Sequence, residues 1–256
     1  MVNSLSKRTI KSCATLFNMQ PPPLPAELID HIFSFLQEDT LALKACSKAH
    51  PLYSRLAERY LYAHIAIDSR TNEACNLILE NPRLLDYPRT LEIRYIRNPP
   101  PISIMPVIPR MTNLVSLSIH DSRPYYERDE FFPPFRICIQ QSSFQELHLF
   151  NFKDLPLSIL DDARNIKQLT LHNCIVEDEQ ISSSTPSSQL SLETFTLSKH
   201  YNPYTIHRWA MRWVTRLTSL ELHGLQLELD WTIFPELLTA CSNSLTGLHL
   251  DMSDCM

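Results

Sequence analysis

The chain has 256 residues, 44% of them apolar and 20% charged, with a formal charge of −5; this is ordinary for a folded globular protein and lacks the basic stripe that nucleic acid favours. Only Gly224 and Gly247 are glycine, where average usage of about 7% would give roughly 18, so no P-loop, dinucleotide fingerprint or G-x-S-x-G nucleophile elbow can be written. The seven cysteines (Cys13, Cys46, Cys75, Cys138, Cys174, Cys241 and Cys255) form no C-x-x-C pair and read as reduced thiols of the cytoplasm or nucleus, and no run of about 18 apolar residues is present to span a membrane.

Residues 1–20 carry Lys7, Arg8 and Lys11 and no acid. They read as a disordered tail, being short and too poor in arginine for a transit peptide. A dense module follows the triple proline Pro21–Pro22–Pro23, from residue 21 to residue 66, and its pattern predicts three helices. The first spans Pro25 to Leu36, since proline near a helix start occupies a position whose N–H has no partner anyway. Glu27 sits in its first turn, where the helix dipole favours an anion. Asp39 or Thr40 caps a second, through Leu41, Leu43, Ala45 and Cys46. Pro51 opens a third, through Leu52, Leu56, Ala57 and Leu61.

On a helical wheel the apolar side chains of the first helix (Leu24, Leu28, Ile29, Ile32, Phe33, Phe35 and Leu36) spread over roughly 180°, where packing on one core needs a stripe of little more than 100°. A block of about 40 residues is also too small to bury that surface alone. The excess packs either on the rest of the chain or on a partner.

Leu24, Pro25, Glu27, Leu28, Ile32, Phe35, Leu36, Asp39, Leu41, Cys46, Tyr53, Leu56 and Ala57 match, in order and spacing, the pattern of an F-box, which this block resembles. Tyr53 stands where the family commonly has tryptophan, Lys48 where an apolar residue is common, and Pro51 where arginine is common. The resemblance implies that the module binds the Skp adaptor of a cullin-based ubiquitin ligase. It points to Leu24, Pro25, Leu28, Ile32, Leu36 and Leu41 at that interface.

Residues 67–256 contain an internal repeat. RTLEI, LVSLSI, FQELHL, IKQLTL, LETFTL, LTSLEL and LTGLHL align on Leu91, Leu117, Leu147, Leu169, Phe195, Leu220 and Leu248, at gaps of 26, 30, 22, 26, 25 and 28 residues. The spacing is that of leucine-rich repeats. The fullest copy is Ile166-x-x-Leu169-x-Leu171-x-x-Cys174; the ninth position varies elsewhere, so the solenoid should be irregular, with no regular asparagine or cysteine ladder. Helical periodicity between the strands marks Glu73–Leu79, Leu157–Ala163, Thr205–Trp213 and Trp231–Cys241, while prolines at 99–101, 106, 109 and 133–134 open several connections. The expected fold is α/β: three N-terminal helices, then a curved parallel sheet of about seven strands with helices on its convex side. The phrases NPRLLDYPRTLEIR and IPRMTNLVSLSI also resemble the repeats of fungal F-box proteins with leucine-rich repeats. The serine-rich stretch 177–189 reads as a mobile insertion in which Thr185–Pro186 is a candidate phosphorylation site, and the last strand, ending at Leu250, should be uncapped.

In each repeat the residues flanking the last leucine point away from the core. They form two rows, Glu92, Ser118, His148, Thr170, Thr196, Glu221, His249 and Arg94, His120, Phe150, His172, Ser198, His223, Asp251. Five of the ten histidines fall in these fourteen slots, which suggests a recognition surface, a metal site or tolerated exposed histidine. A metal centre is disfavoured, because alternate strands stand about 9.6 Å apart and zinc holds its ligands at about 2 Å. No metal or other cofactor is expected. Arg94, His120, His148, Phe150, His172 and His223 are the candidate target-binding residues. With Arg94 the one permanent cation in the rows, phosphate reading is disfavoured. Phe150 is the natural apolar anchor.

No catalytic constellation is legible; Cys174 occupies a structural position, and Glu92 and Glu221 lie too far apart to act as a pair. The sequence therefore suggests a substrate-recognition subunit that joins a protein target to the Skp adaptor and, through it, to a cullin. The alternative is an interaction scaffold with no part in ubiquitylation. Neither reading involves nucleic acid or a membrane.

Overall fold

The structure, a computed structural model, describes residues 24–68, 72–95, 102–121, 128–152, 155–156, 159–160, 163–175, 192–198, 216–224 and 234–251. The N-terminal tail, the 177–189 stretch with Thr185–Pro186, the Thr205–Trp213 segment, most of Leu157–Ala163 and the prolines at 99–101 lie outside the described residues. The chain divides between Ala57 and Glu58 into two compact units.

The first unit is helical. Helix α1 (Ala26–Phe35) follows Pro25 at its N-cap and closes at Leu36, whose N–H reaches the Phe33 carbonyl. Helix α2 (Thr40–Ala49) is capped by Asp39, whose carboxylate accepts from the Ala42 N–H at 2.9 Å. That satisfies one of the donors every helix start leaves unpaired. Helix α3 (Pro51–Leu61) opens on Pro51, and the His50 ring accepts from the Leu52 N–H at 3.1 Å. Ile29, Phe33, Leu43 and Ala57 are buried, and the Tyr53 ring meets Phe33 edge-on at 6.1 Å. Tyr53 thus fills an aromatic position in this small core.

The second unit is built on one open sheet of eight strands, all parallel and in chain order. They are β1 (His64–Asp68), β2 (Thr90–Tyr95), β3 (Ser116–Asp121), β4 (Glu146–Phe150), β5 (Gln168–His172), β6 (Thr194–Ser198), β7 (Ser219–His223) and β8 (Gly247–Asp251). The register pairs Leu91 with Leu117, Leu117 with Leu147, and so on to Leu220 with Leu248, so the alignment of repeats is also the alignment of strands. The sheet begins one strand earlier than that pattern predicts. Ile65 and Ile67 of β1 pair with Leu91 and Ile93, within the stretch expected to close the helical module.

The same backbone device starts each strand after β1. The carbonyl of Val115, for example, accepts from both Gln145 N–H and Glu146 N–H, at 2.8 and 3.0 Å, and Ala63, Arg89, Gln145, Lys167, Glu193 and Thr218 serve the following strand alike. Side chains tie neighbouring loops where glycine is scarce: Asn113 donates to the Asp86 carbonyl at 2.7 Å, Ser143 to Thr112 at 2.8 Å and Ser244 to Leu217 at 2.8 Å. After β4, β5 and β7 the chain turns through the left-handed region at Asn151, Asn173 and Gly224. Asparagine and glycine tolerate that conformation best. Asn173 donates from its side-chain amide to Asn151 at 2.8 Å, a two-member asparagine rung one position before the ninth residue of each repeat, Phe152 and Cys174.

Helices α4 (Asn72–Glu80), α5 (Arg128–Ile139) and α6 (Phe234–Cys241) connect the strands, with 3-10 segments at Pro82–Asp86 and Ile102–Arg110. Helix α4 matches its expected span to one residue. Pro133 and Pro134 were expected to open a connection; they lie inside α5 instead. They remove two N–H donors from the helix, and burial of Phe135, Cys138 and Ile139 beyond them holds its last turns in place. Pro106 and Pro109 likewise lie within a 3-10 segment. At the far edge, Leu248 and Leu250 of β8 remain 46% and 40% exposed, although their partners Leu220 and Leu222 are buried.

Candidate functional site

Two surfaces stand out, one on each unit. On α1 the apolar arc divides in two. At 100° per residue, Phe35, Leu28 and Ile32 fall within about 60° of one another, with Leu24 just ahead of the helix, and Leu36, Ile29 and Phe33 occupy a second arc of about 60°. The second group turns inward: Ile29 and Phe33 are buried and Leu36, at the C-cap, is half-buried. The first group is exposed, at 42% for Leu24, 50% for Leu28, 45% for Ile32 and 76% for Phe35, and Leu41 on α2 is 77% exposed. Pro25 is exposed as well. So five of the six positions named from the sequence lie at the surface and Leu36 half belongs to the core. Phe35 was not among the six, although its place on the wheel beside Leu28 marked it. Single exposed leucines are common, but Leu28, Ile32 and Phe35 turned outward on one helix form the kind of apolar patch that protein contacts use.

On the sheet, burial alternates strictly along β4, β5 and β7. The inward leucines pack against the connecting segments, and the outward residues fall into rows across the strands. Arg94, His120, Phe150, His172, Ser198, His223 and Asp251 are neighbours in that order. The structure therefore brings the candidate target-binding residues onto one face, with Ser198 standing between His172 and His223. A third row, at the strand starts, was not read from the sequence because only positions flanking the last leucine were considered; it includes Ser116, Glu146, Gln168, Thr194 and Ser219. The signal was available, since side chains on a strand share a face every second residue.

The rows are linked by side-chain contacts. Glu92 accepts from Arg94 Nε at 2.7 Å and meets His120 Nε2 at 3.1 Å. The His120 ring stacks on Phe150 with centroids 4.0 Å apart and planes 1° from parallel, and Phe150 meets the tilted His172 ring at 5.7 Å. His172 Nδ1 is bonded to the Ser198 hydroxyl, which is almost fully buried. His148 Nδ1 bonds the Thr170 hydroxyl at 3.0 Å, and its Nε2 lies 3.9 Å from Glu146. At the other end Thr196 donates to Glu221 at 3.2 Å. His223 sits between Glu221 and Asp251, at 3.8 and 3.5 Å, with the His249 ring 5.2 Å away.

These surroundings set the charge. Burial pushes His120 and His148 below the ordinary histidine value, opposed by Glu92 and by Glu146 respectively. Burial would raise Glu92, but the hydrogen bond and charge of Arg94, together with His120, outweigh it and hold the carboxyl below its usual range. Cys138 and Cys174 are pushed up to about 12 by burial, and Cys174 donates to the Leu149 carbonyl at 3.3 Å. They are packing residues, since a thiol so rarely ionised is a poor nucleophile.

Among the described residues no group of three or more His, Cys, Asp or Glu is arranged to hold a metal ion, and no helix is long and apolar enough to cross a membrane. No protein-family model matches the chain, and no curated protein matches it.

Proposed function

We infer that this chain is the substrate-recognition subunit of a Skp–cullin–F-box ubiquitin ligase, with residues 24–61 docking the adaptor and a leucine-rich-repeat sheet holding a protein target. The observation that carries the reading is the set of exposed apolar side chains Leu24, Leu28, Ile32, Phe35 and Leu41 on a small helical unit. The unit buries Ile29, Phe33 and Leu43 and leaves these other apolar side chains exposed. The match of residues 24–57 to the F-box pattern names the partner that would cover them. Seven parallel strands recurring every 22–30 residues from Leu91 onward, in a sheet of eight, support the repeat reading of the remainder. On this reading the chain performs no chemistry of its own, works in the cytoplasm or nucleus, and contributes affinity and choice of target.

The test is co-purification of the full chain with the Skp adaptor, as wild type, as Leu24→Ala/Pro25→Ala and as Leu28→Asp. Retention by wild type and loss from both variants, with circular dichroism unchanged, is the expected result. Loss of adaptor binding from every protein, the fold being intact, would end the ligase reading in favour of a scaffold. A scaffold that still bound the adaptor would be recognised by a target protein whose lifetime is indifferent to the Leu28→Asp change.

A further inference from the structure

The sheet has two edge strands, and they differ. At β1 the inward residues Ile65 and Ile67 are buried. At β8 the inward residues Leu248 and Leu250 stay 46% and 40% exposed, and His249 between them is exposed on the outward face. Among the described residues no strand lies beyond β8. Native edges are usually kept apart by lysine, proline or a bulge. The strand Gly247-Leu248-His249-Leu250-Asp251 has neither lysine nor proline, and it pairs with β7 residue for residue, without a bulge.

The backbone shows which groups face the edge. Gly247 N–H donates to the Thr218 carbonyl, and Gly224 N–H donates to the Asp251 carbonyl, each at 2.9 Å. In a parallel ladder every second residue bonds the same neighbour, so Gly247, His249 and Asp251 turn to β7. The N–H and C=O groups of Leu248 and Leu250 therefore point the other way, along the edge.

We propose that β8 is a self-pairing edge, through which two copies of this chain join in an antiparallel strand pair centred on His249. In that register Leu248 exchanges both backbone hydrogen bonds with Leu250 of the second copy, and Leu250 does so with its Leu248. An axis at Leu248 or Leu250 would instead set the other leucines against positions beyond the five-residue strand. A two-fold axis normal to the sheet keeps all four leucines on the inward face, where they cover one another and extend the buried rows of Leu220 and Leu222. Parallel pairing of the same two edges would place the leucines on opposite faces. Charge agrees with the register: Asp251 stands opposite Gly247 of the second copy, so no carboxylate meets a carboxylate directly across the pair. The contact is isologous and closes at two copies. Two five-residue strands bury on the order of 500 Å² in all, below the about 1,200 Å² of a standard interface, so the dimer is weak and forms at high concentration. The inference concerns the sheet alone and holds whether or not the helical unit binds the adaptor.

The two-fold also places the His249 residues as a non-hydrogen-bonded pair, with Cα atoms about 4.5 Å apart, a separation that a disulfide spans. The experiment uses the full chain as wild type, Leu250→Pro, His249→Cys and Thr170→Cys, the last on the same outward row three strands from the edge. Leu250→Pro removes an N–H that β7 does not use. Sedimentation equilibrium from about 10 to about 500 µM should show wild type passing from monomer to dimer and no further, and Leu250→Pro remaining monomeric with unchanged circular dichroism. Under mild oxidation His249→Cys should form a 249–249 disulfide, identified by peptide mapping, about tenfold faster than Thr170→Cys forms its own. Should the proline variant lose its fold, Leu248→Lys/Leu250→Lys, which charges side chains already exposed, takes its place with the same expected result. A wild type that stays monomeric throughout overturns the proposal, as do a dimer that survives the edge substitutions, equal crosslinking of the two cysteine variants, or assemblies that grow beyond two copies.

Discussion

The imidazole of His120 lies flat on the phenyl ring of Phe150, 4.0 Å away and within 1° of parallel, although 30 residues of chain separate them. Their strands are adjacent and in register, so the two side chains leave the sheet from neighbouring points of one row. Glu92 holds the far side of the imidazole at 3.1 Å. The anchor chosen from the sequence is thus part of a supported stack.

A double-mutant cycle of His120→Ala and Phe150→Ala should return a coupling of about 0.5–1.5 kcal/mol, the range for a stacked pair beyond its area burial. Phe150→Ala alone should cost about 1–2 kcal/mol, less than a core phenylalanine because the ring is half-buried. Urea unfolding monitored by circular dichroism measures both.

Folding stability should fall as pH drops from 7.5 to 5.5. His120 and His148 have folded values below the ordinary 6.5, so the unfolded chain takes up protons first. Their contribution is complete above that ordinary value and is lost as pH falls through the depressed folded values. His148→Gln, which keeps a hydrogen-bonding group near Thr170, should flatten part of the slope when urea midpoints are compared across this range. The Glu92 contribution follows the carboxylate rule and is lost only at lower pH, below its unfolded value of about 4.5.

The two faces of α1 should respond in opposite ways. Phe33→Ala removes a buried ring and should destabilise the helical unit by about 3–5 kcal/mol. Phe35→Ser, at a position 76% exposed, should leave amide protection of α1 unchanged and make the chain more soluble. Hydrogen exchange resolves the two outcomes residue by residue.

Asn173 combines a left-handed backbone, φ 53°, with a side-chain bond to Asn151. Asn173→Ala should cost about 1–2 kcal/mol through the Cβ penalty and the lost bond. Asn173→Gly should cost less, because only the bond is lost, and the difference in thermal midpoints reports the backbone share.

Cys138, Cys174 and Cys241 should escape iodoacetamide in the folded protein at pH 8 and react on unfolding. Burial raises all three thiols, and the first two to about 12. Mass-spectrometric mapping of alkylated peptides provides the readout.

Much of this architecture was written locally. The apolar–x–apolar spacing around Leu91, Leu117, Leu147, Leu169, Leu220 and Leu248 specified strands, their order and their outward rows, because a period of two is a property of the strand itself. Asp39 and Pro51 marked helix starts for the same local reason. Strand β1 is not legible because Ile65–Ala66–Ile67 follows α3 after only a short turn at Tyr62–Ala63, with no proline or glycine to mark it, and carries no leucine, so only pairing with Leu91 and Ile93 identifies it. Pro133 and Pro134 pointed to a connection, and burial of Phe135, Cys138 and Ile139 overrode that propensity.

By itself the sequence determined the periods: helical in residues 25–61, alternating in each repeat, and an apolar arc on α1 too wide for one core. It could not divide that arc, since a wheel states which residues are adjacent and never which neighbour covers them. Tertiary packing decided it, burying Ile29 and Phe33 and leaving Leu28, Ile32 and Phe35 outside. It also decided the electrostatics of the sheet. Glu92 with His120, and His223 with Asp251, touch across strands drawn from separate repeats, and only parallel pairing in register, a property of two strands rather than one, brings them together.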